Sequence, residues 1–233
     1  MPLTVYAIVG QRPSQRAFTR ARGLRMRLVT AGGMSAVVAE CDEKPALSMR
    51  AIRGHDALVR RAARAVPAIL PARFGTIVES EASVVALIKR WSDDLREALA
   101  LVDGREQMTL RLFAEAGGVG ERGKAGRTGG AGEDEGDETL PGTRYLLRRA
   151  QAQTGPAAPE LELLREVLKP IVAAERIVRH DHDPLILTAC HLIPRGGAAA
   201  YKRILRRHAV QLRNRAVVSG PWPPYAFCPE LRK

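Results

Sequence analysis

Ser80-Glu81-Ala82-Ser83-Val84-Val85-Ala86-Leu87-Ile88-Lys89-Arg90-Trp91, carried on through Leu95, Leu99 and Val102 to Gly104, is followed at once by Arg105-Glu106-Gln107-Met108-Thr109-Leu110-Arg111-Leu112-Phe113. The first part repeats its apolar residues every three or four positions, at Val84, Ile88, Trp91, Leu95, Leu99 and Val102, which is one stripe of a helix about five turns long. Ser80 suits the N-cap and Glu81 the first turn, where a carboxylate meets the positive end of the helix dipole. Gly104 is a helix stop, and Glu106 to Phe113 then alternates, with Met108, Leu110 and Leu112 on one face of a strand. A helix joined directly to a strand of the other period predicts a mixed α+β chain.

Upstream, Leu3 to Val9, Leu24 to Val29 and Met34 to Glu40 read as strands, the last two joined by the turn Thr30-Ala31-Gly32-Gly33. Leu58, Ala62, Val66 and Ile69 carry a helical spacing that Pro67 and Pro71 end near Val66. Ile69 to Val78 is a strand and turn leading into the long helix. The expected first module is therefore a small sheet with both helices on one face and 106–113 as its closing strand.

Downstream, Gly117 to Gly136 holds nine of the chain's 21 glycines, beside the acid run Glu133-Asp134-Glu135-Gly136-Asp137-Glu138. That composition predicts a flexible linker whose acids either keep a long loop solvated or dock somewhere. The expected organisation is an N-terminal α+β domain over 1–116, a Gly-rich acidic linker over 117–139 and a C-terminal α+β domain over 140–233. Their net charges are +6, −3 and +9. The C-terminal part is expected to hold a short helix over 143–149, a helix from Glu160 to about Val178 bent at Pro170, and a strand over Leu185 to Ile193. A helix bearing Tyr201, Ile204, Leu205, His208 and Leu212 and a last strand at Ala216 to Val218 complete it.

Composition excludes several classes. No stretch approaches the ~18 apolar residues of a membrane helix. The N-terminal run Met1 to Val9 lacks a basic segment before it and reads as a strand, not a signal peptide, so the expected place is the cytoplasm. Cys41, Cys190 and Cys228 are few and far apart, which predicts reduced, mostly buried thiols. The net charge is +12, but Arg makes up 31 of the 37 basic residues and only 4% of residues are aromatic. No base-stacking strand motif accompanies the charge. A basic nucleic-acid-binding module, with the sheet face and the +9 region as its footprint, is the alternative function.

His180-Asp181-His182-Asp183, with Cys190 and His191 following, holds metal-ligand side chains. It lacks an i, i+4 pair and precedes Pro184, so a solvated turn is expected, with no metal and no cofactor. Neither a G-x-S-x-G elbow nor a phosphate loop is present, and no catalytic residue is assigned. Two unusual segments remain. Leu70-Pro71-Ala72-Arg73-Phe74-Gly75-Thr76 joins proline, arginine, aromatic and glycine. Ser219-Gly220-Pro221-Trp222-Pro223-Pro224-Tyr225-Ala226-Phe227 gathers three of the ten aromatics. The tail is not expected to continue the preceding strand, and proline stiffens it, so its rings can anchor at low entropic cost. The candidate residues for partner binding or tail docking are Pro71, Arg73, Phe74, Gly75, Gly220, Pro221, Trp222, Pro223, Pro224, Tyr225 and Phe227.

These two segments, with Gly142-Thr143-Arg144-Tyr145-Leu146-Leu147, resemble the gas vesicle protein L/F family, and the resemblance runs from the first strand to Phe227 outside the linker. It departs from the family at Ala226, where a small polar residue is more usual, and in the length of the glycine-acidic insertion. The resemblance implies a non-enzymatic accessory protein of gas vesicle assembly with two α+β modules, the first a modified ferredoxin-like fold. It also implies contact with the small hydrophobic shell protein, with other gas vesicle accessory proteins as further candidate partners, and a place at the gas vesicle or in the cytoplasm.

Overall fold

A computed structural model describes residues 1–10, 26–41, 46–114, 161–180, 184–208 and 215–229. The linker over 117–139, the helix over 143–149 and Asp181 to Asp183 lie outside the described residues. The chain forms an α+β protein with two antiparallel sheets. Among the described residues no helix is long and apolar enough to cross a membrane.

The first sheet takes β1 (Leu3–Gly10), β2 (Met26–Ala31), β3 (Met34–Glu40), β4 (Ile69–Pro71) and β5 (Ile77–Val78). Its order is β2-β3-β1-β4, with β5 pairing β1 beyond β4. Gly32 and Gly33 turn the β2–β3 hairpin with φ of 54° and 79°, conformations that favour glycine. β1 is buried at every position from Leu3 to Val9, which only a sheet covered on both faces allows.

The cover comes from opposite sides, not from one face as expected. Helix α1 (Met49–Ala65) lays Leu58, Val59 and Ala62 against Tyr6, Ala7, Val9, Val37 and Ala39. Helices α2 (Glu81–Arg90) and α3 (Ser92–Val102) lay Val84, Ile88, Leu95 and Leu99 against Leu3, Val5, Ile8, Ala36 and Val38. The unbroken apolar run of β1 carries this information, because a sheet with one wet face would alternate. The long helix is interrupted at Trp91, since Ser92-Asp93-Asp94 are first-turn residues that start α3 afresh.

The strand expected to close the first sheet, β6 (Arg105–Phe113), is instead a central strand of the second, whose order is β7-β8-β6-β9. Its apolar face needs a cover, and Met108, Leu110 and Leu112 find it on Leu164, Leu168, Tyr201 and Leu205. A period of two identifies a strand without saying which sheet it joins.

The helix expected over 160–178 is also corrected. Helix α4 (Glu162–Leu168) stops before Pro170, which cannot supply an interior N–H, and Ala174–Arg179 is strand β7. Strand β8 (Leu185–Pro194) and helix α5 (Ala198–His208) lie near their expected places. Strand β9 (Arg215–Trp222) runs four residues past Val218, so the tail does continue the strand. It is an edge strand, where a proline without an N–H is tolerated.

Candidate functional site at the C-terminal tail

β9 pairs with β6 through Ser219 opposite Thr109 and again through Trp222 opposite Gln107. Three steps on β9 match two on β6, so Gly220 and Pro221 form a bulge, with a cis peptide bond between them. Gly220 has φ of 121°, and a Cβ there would come 2.8 Å from the Gln107 carbonyl oxygen and 3.0 Å from Met108 Sδ. No other residue fits. Lys202 Nζ on α5 donates to the Gly220 carbonyl at 3.2 Å.

Beyond the bulge the tail reaches the first module. The Arg60 guanidinium on α1 stacks 4.2 Å from the Trp222 ring centroid, and Arg60 Nε donates to Asp56 Oδ2 at 2.7 Å. The other carboxylate oxygen of Asp56 accepts the Tyr225 hydroxyl at 3.3 Å. Burial, and then the Asp56 charge, push the Tyr225 phenol up from its ordinary value. Pro223 and Pro224 are buried and lead into a single 3-10 turn, Tyr225–Phe227. Its Ala226 N–H donates to Gln107 Oε1 at 2.9 Å.

Phe227 is 1% exposed and shares one core cluster with Leu3, Val5 and Ile88 of the first module and Leu192 of the second. One ring thus closes the seam between the two sheets. The Cys228 thiol, pushed up to about 12 by burial, donates to the Pro71 carbonyl at 3.2 Å. All three cysteines are free and half-buried, less enclosed than expected.

The Pro71 segment meets the tail at that contact and through α1. His55 Nε2 lies 3.0 Å from the Ala72 carbonyl, and its ring stacks on Tyr6 and takes Phe74 edge-on at 5.7 Å. Consecutive residues of α1 therefore hold the two segments, His55 the first and Asp56 the second. Pro71 is buried and Phe74 half-buried. Gly75, with φ of 81°, shapes a turn in which the Thr76 N–H and hydroxyl both donate to the Arg73 carbonyl. The Arg73 side chain is exposed and Pro221 faces solvent. Pro221 makes no contact in the joint, and Arg73 reaches it only through the pull of its charge on the Cys228 thiol.

His55, Asp56, Arg60, Gln107 and Arg195 belong to the joint and were not singled out from the sequence. Arg195 Nη1 donates to the Val66 carbonyl at 3.0 Å and its N–H to the Gly104 carbonyl at 2.9 Å, a second tie between modules. The Asp56–Arg60 spacing of four was the one readable signal.

The described members of the histidine cluster, His180, Cys190 and His191, are kept apart by strand geometry. His180 Nε2 lies 3.0 Å from Thr188 Oγ1. Cys190 and His191 are neighbours on β8 and so point to opposite faces. His191 is 3% exposed, with Nδ1 2.5 Å from the Tyr201 hydroxyl and Nε2 2.9 Å from Glu175 Oε1. Arg165 donates twice to Glu175 Oε2, at 2.9 and 2.7 Å. Burial works to raise the Glu175 carboxyl, but the bonds from His191 and Arg165 outweigh it and hold the group below its ordinary value. This network borders a cleft of about 190 Å³ walled by Leu161, Leu164, Leu168 and Val172. Both ring nitrogens of His191 and both oxygens of Glu175 are engaged, so the cluster ties α4, α5, β7 and β8 together.

A sequence profile of the family described as gas vesicle synthesis protein GvpL/GvpF matches residues 3–229. The fold is similar to the crystal structure of GvpF from Anabaena sp. PCC7120, with a TM-score of 0.70 at 18% identity, covering 98% of this chain and 96% of that one. It is also similar to GvpF from Microcystis aeruginosa, with a TM-score of 0.68 at 17% identity, covering 97% and 98%. No curated protein matches by sequence.

Proposed function

The chain belongs to the gas vesicle synthesis protein GvpL/GvpF family, and from that premise we propose that it is a non-enzymatic accessory protein that binds the small hydrophobic shell protein while the vesicle nucleates or grows. It works in the cytoplasm, at the forming vesicle. By covering the apolar faces of shell subunits until they are incorporated, it is needed in fewer copies than the shell itself. Other gas vesicle accessory proteins are its further partners.

The observation that carries this reading is the extent of the match, which runs from the first strand through both sheets to the tail. The geometry supports it, because Trp222, Tyr225 and Phe227 are engaged in a joint between two sheets and the buried His191 is locked in a structural network. In this reading the tail acts by holding the two sheets in one relation, and the binding surfaces lie on what it leaves outside.

The test is co-purification of the chain with the shell protein. Capture that persists in roughly 0.5 M salt, where exposed charge pairs are screened, is the expected result. A nucleic-acid complex would instead weaken steeply with salt as counterions return to the phosphates. Tight, sequence-dependent binding to DNA or RNA without shell-protein capture overturns the proposal.

A further inference from the structure

The second sheet has two unlike faces. One packs under α4 and α5. Among the described residues, the other is covered only at the end where Phe227, Ala226 and the first module meet Leu192 and Cys190. At its far end Val178, Thr188, Arg111 and Val217 form one cross-strand row in register through all four strands. Val178 is 56% and Val217 40% exposed, Arg111 faces solvent, and the Arg215 guanidinium lies 5.0 Å from the Phe113 ring centroid. Arg176, exposed and opposite Cys190, stands at the border with the covered end, its guanidinium 5.8 Å from the Phe227 ring centroid. Two arginines and two outward valines thus share this half-face, with a third arginine at its border, and among the described residues no carboxylate stands on it.

We propose that this half-face is the docking surface for the chain's own acidic run, Glu133-Asp134-Glu135-Gly136-Asp137-Glu138. The occupant is argued from connectivity and charge. Ala114 donates its N–H to the Pro184 carbonyl at 2.8 Å, so β6 ends at the uncovered end of the face, three residues past Arg111. The acid run begins 19 residues after Ala114. A glycine-rich stretch of about 20 residues has a root-mean-square span of about 25 Å. Four strands spaced about 4.8 Å apart are only some 15 Å across, so the run reaches every point of the row.

Five carboxylates meeting Arg111, Arg176 and Arg215 give pairs that are each weak on a surface, of order 0–1 kcal/mol. Tethering supplies an effective concentration in the millimolar range, so a contact too weak to form between separate molecules is populated within one. The consequence is that the basic half-face is withheld from other polyanions at low ionic strength. This inference does not depend on the shell protein being the partner.

The experiment uses the full chain, nuclease-treated, in the variants Arg111→Lys and Arg215→Lys, which keep the charge and place an amine within reach of a zero-length carbodiimide cross-linker. Mass spectrometry then reads which carboxylates join the new lysine. The comparison is Arg64→Lys, another exposed cation, on α1. The expected result is cross-links from positions 111 and 215 to residues 133–138 in the monomer, at least tenfold above those from position 64, and lost in roughly 0.5 M salt. Equal yields at 64 and 111, yields that ignore salt, or cross-links confined to dimers would each overturn the proposal.

Discussion

The Tyr225 hydroxyl donates to Asp56 Oδ1 at 3.3 Å, across 169 positions of sequence, and the same carboxylate takes Arg60 Nε through Oδ2. One acid on α1 therefore holds both the tail and the cation that stacks on Trp222. Tyr225→Phe should cost about 1 kcal/mol, the net worth of one hydrogen bond. Asp56→Ala leaves two partners unmatched and should cost about 1–3 kcal/mol. In a chain of this size that is a fall of a few degrees in melting temperature per kcal/mol. Thermal melts of the two single variants and the double should show coupling, and strict additivity would show that Tyr225 and Asp56 do not interact.

Glycine 220 offers a test of local geometry. Ala at this position would meet the Gln107 carbonyl at 2.8 Å on a backbone with φ of 121°, whereas at Gly33, with φ of 79°, a Cβ meets nothing within 4 Å. Gly33→Ala should cost about 1 kcal/mol from backbone conformation alone, and Gly220→Ala distinctly more, since backbone strain and collision add. Denaturant midpoints measured side by side check the order, and a reversed order would mean that the bulge relaxes freely.

Much of this architecture was legible and some was not, for reasons that particular residues show. Periodicity located α1 and the α2–α3 stretch, the latter as one unbroken helix, because their apolar stripes are long. It could not place β6, since Met108, Leu110 and Leu112 demand a cover without naming it. Likewise Val172 to Val178 continued a helical spacing past Pro170, and only pairing with β8 makes it a strand. At the joint, the aromatic and proline residues were conspicuous in sequence. Their receptors Asp56, Arg60 and Gln107 were ordinary polar residues whose role exists only once distant segments meet.

Stability should fall on both sides of neutral pH for identifiable reasons. Burial lowers the His55 imidazole from 6.5, against the opposing pull of its Ala72 bond and the Asp56 charge. A base depressed in the folded state contributes stability present above its unfolded value, and this is lost as pH falls below about 6.5. The Cys228 thiol is raised from 9.0 to about 12, so its contribution is intact below 9 and lost as pH rises between those values. His55→Gln should therefore be less stable than the parent at pH 7.5, with the gap narrowing by pH 5. Urea titrations across this range check it, and a gap that widens on acidification would contradict the sign.

Arg195 ties the modules through backbone carbonyls of the first. Replacing it with Ala leaves the Val66 carbonyl without its 3.0 Å donor and the Pro67 carbonyl without its 3.3 Å one. The expected loss is about 1–3 kcal/mol. Because Gly104 still donates to Pro67, the turn itself should survive. Hydrogen exchange should then rise around Val66 and Pro194 while the interior of β1 stays protected. Uniform loosening of the whole chain would count against a local clamp.

Removing the tail is the most discriminating change. Phe227 is 1% exposed at a seam built from both sheets, and Phe227→Ala alone should cost about 3–5 kcal/mol. A whole domain is stable by only about 5–15 kcal/mol. Truncation after Ser219 also removes Trp222 from under Arg60, Tyr225 from Asp56 and Cys228 from Pro71. The truncated chain should therefore melt well below the parent and fail to restore vesicles in a complementation assay. His180→Ala, which removes one exposed bond to Thr188, should be nearly silent in both. If the tail served only as a docking element, the truncated chain would keep its melting temperature and lose only shell-protein capture. A truncated chain that melts like the parent and still builds vesicles would mean that the seam closed by Phe227 carries neither stability nor function.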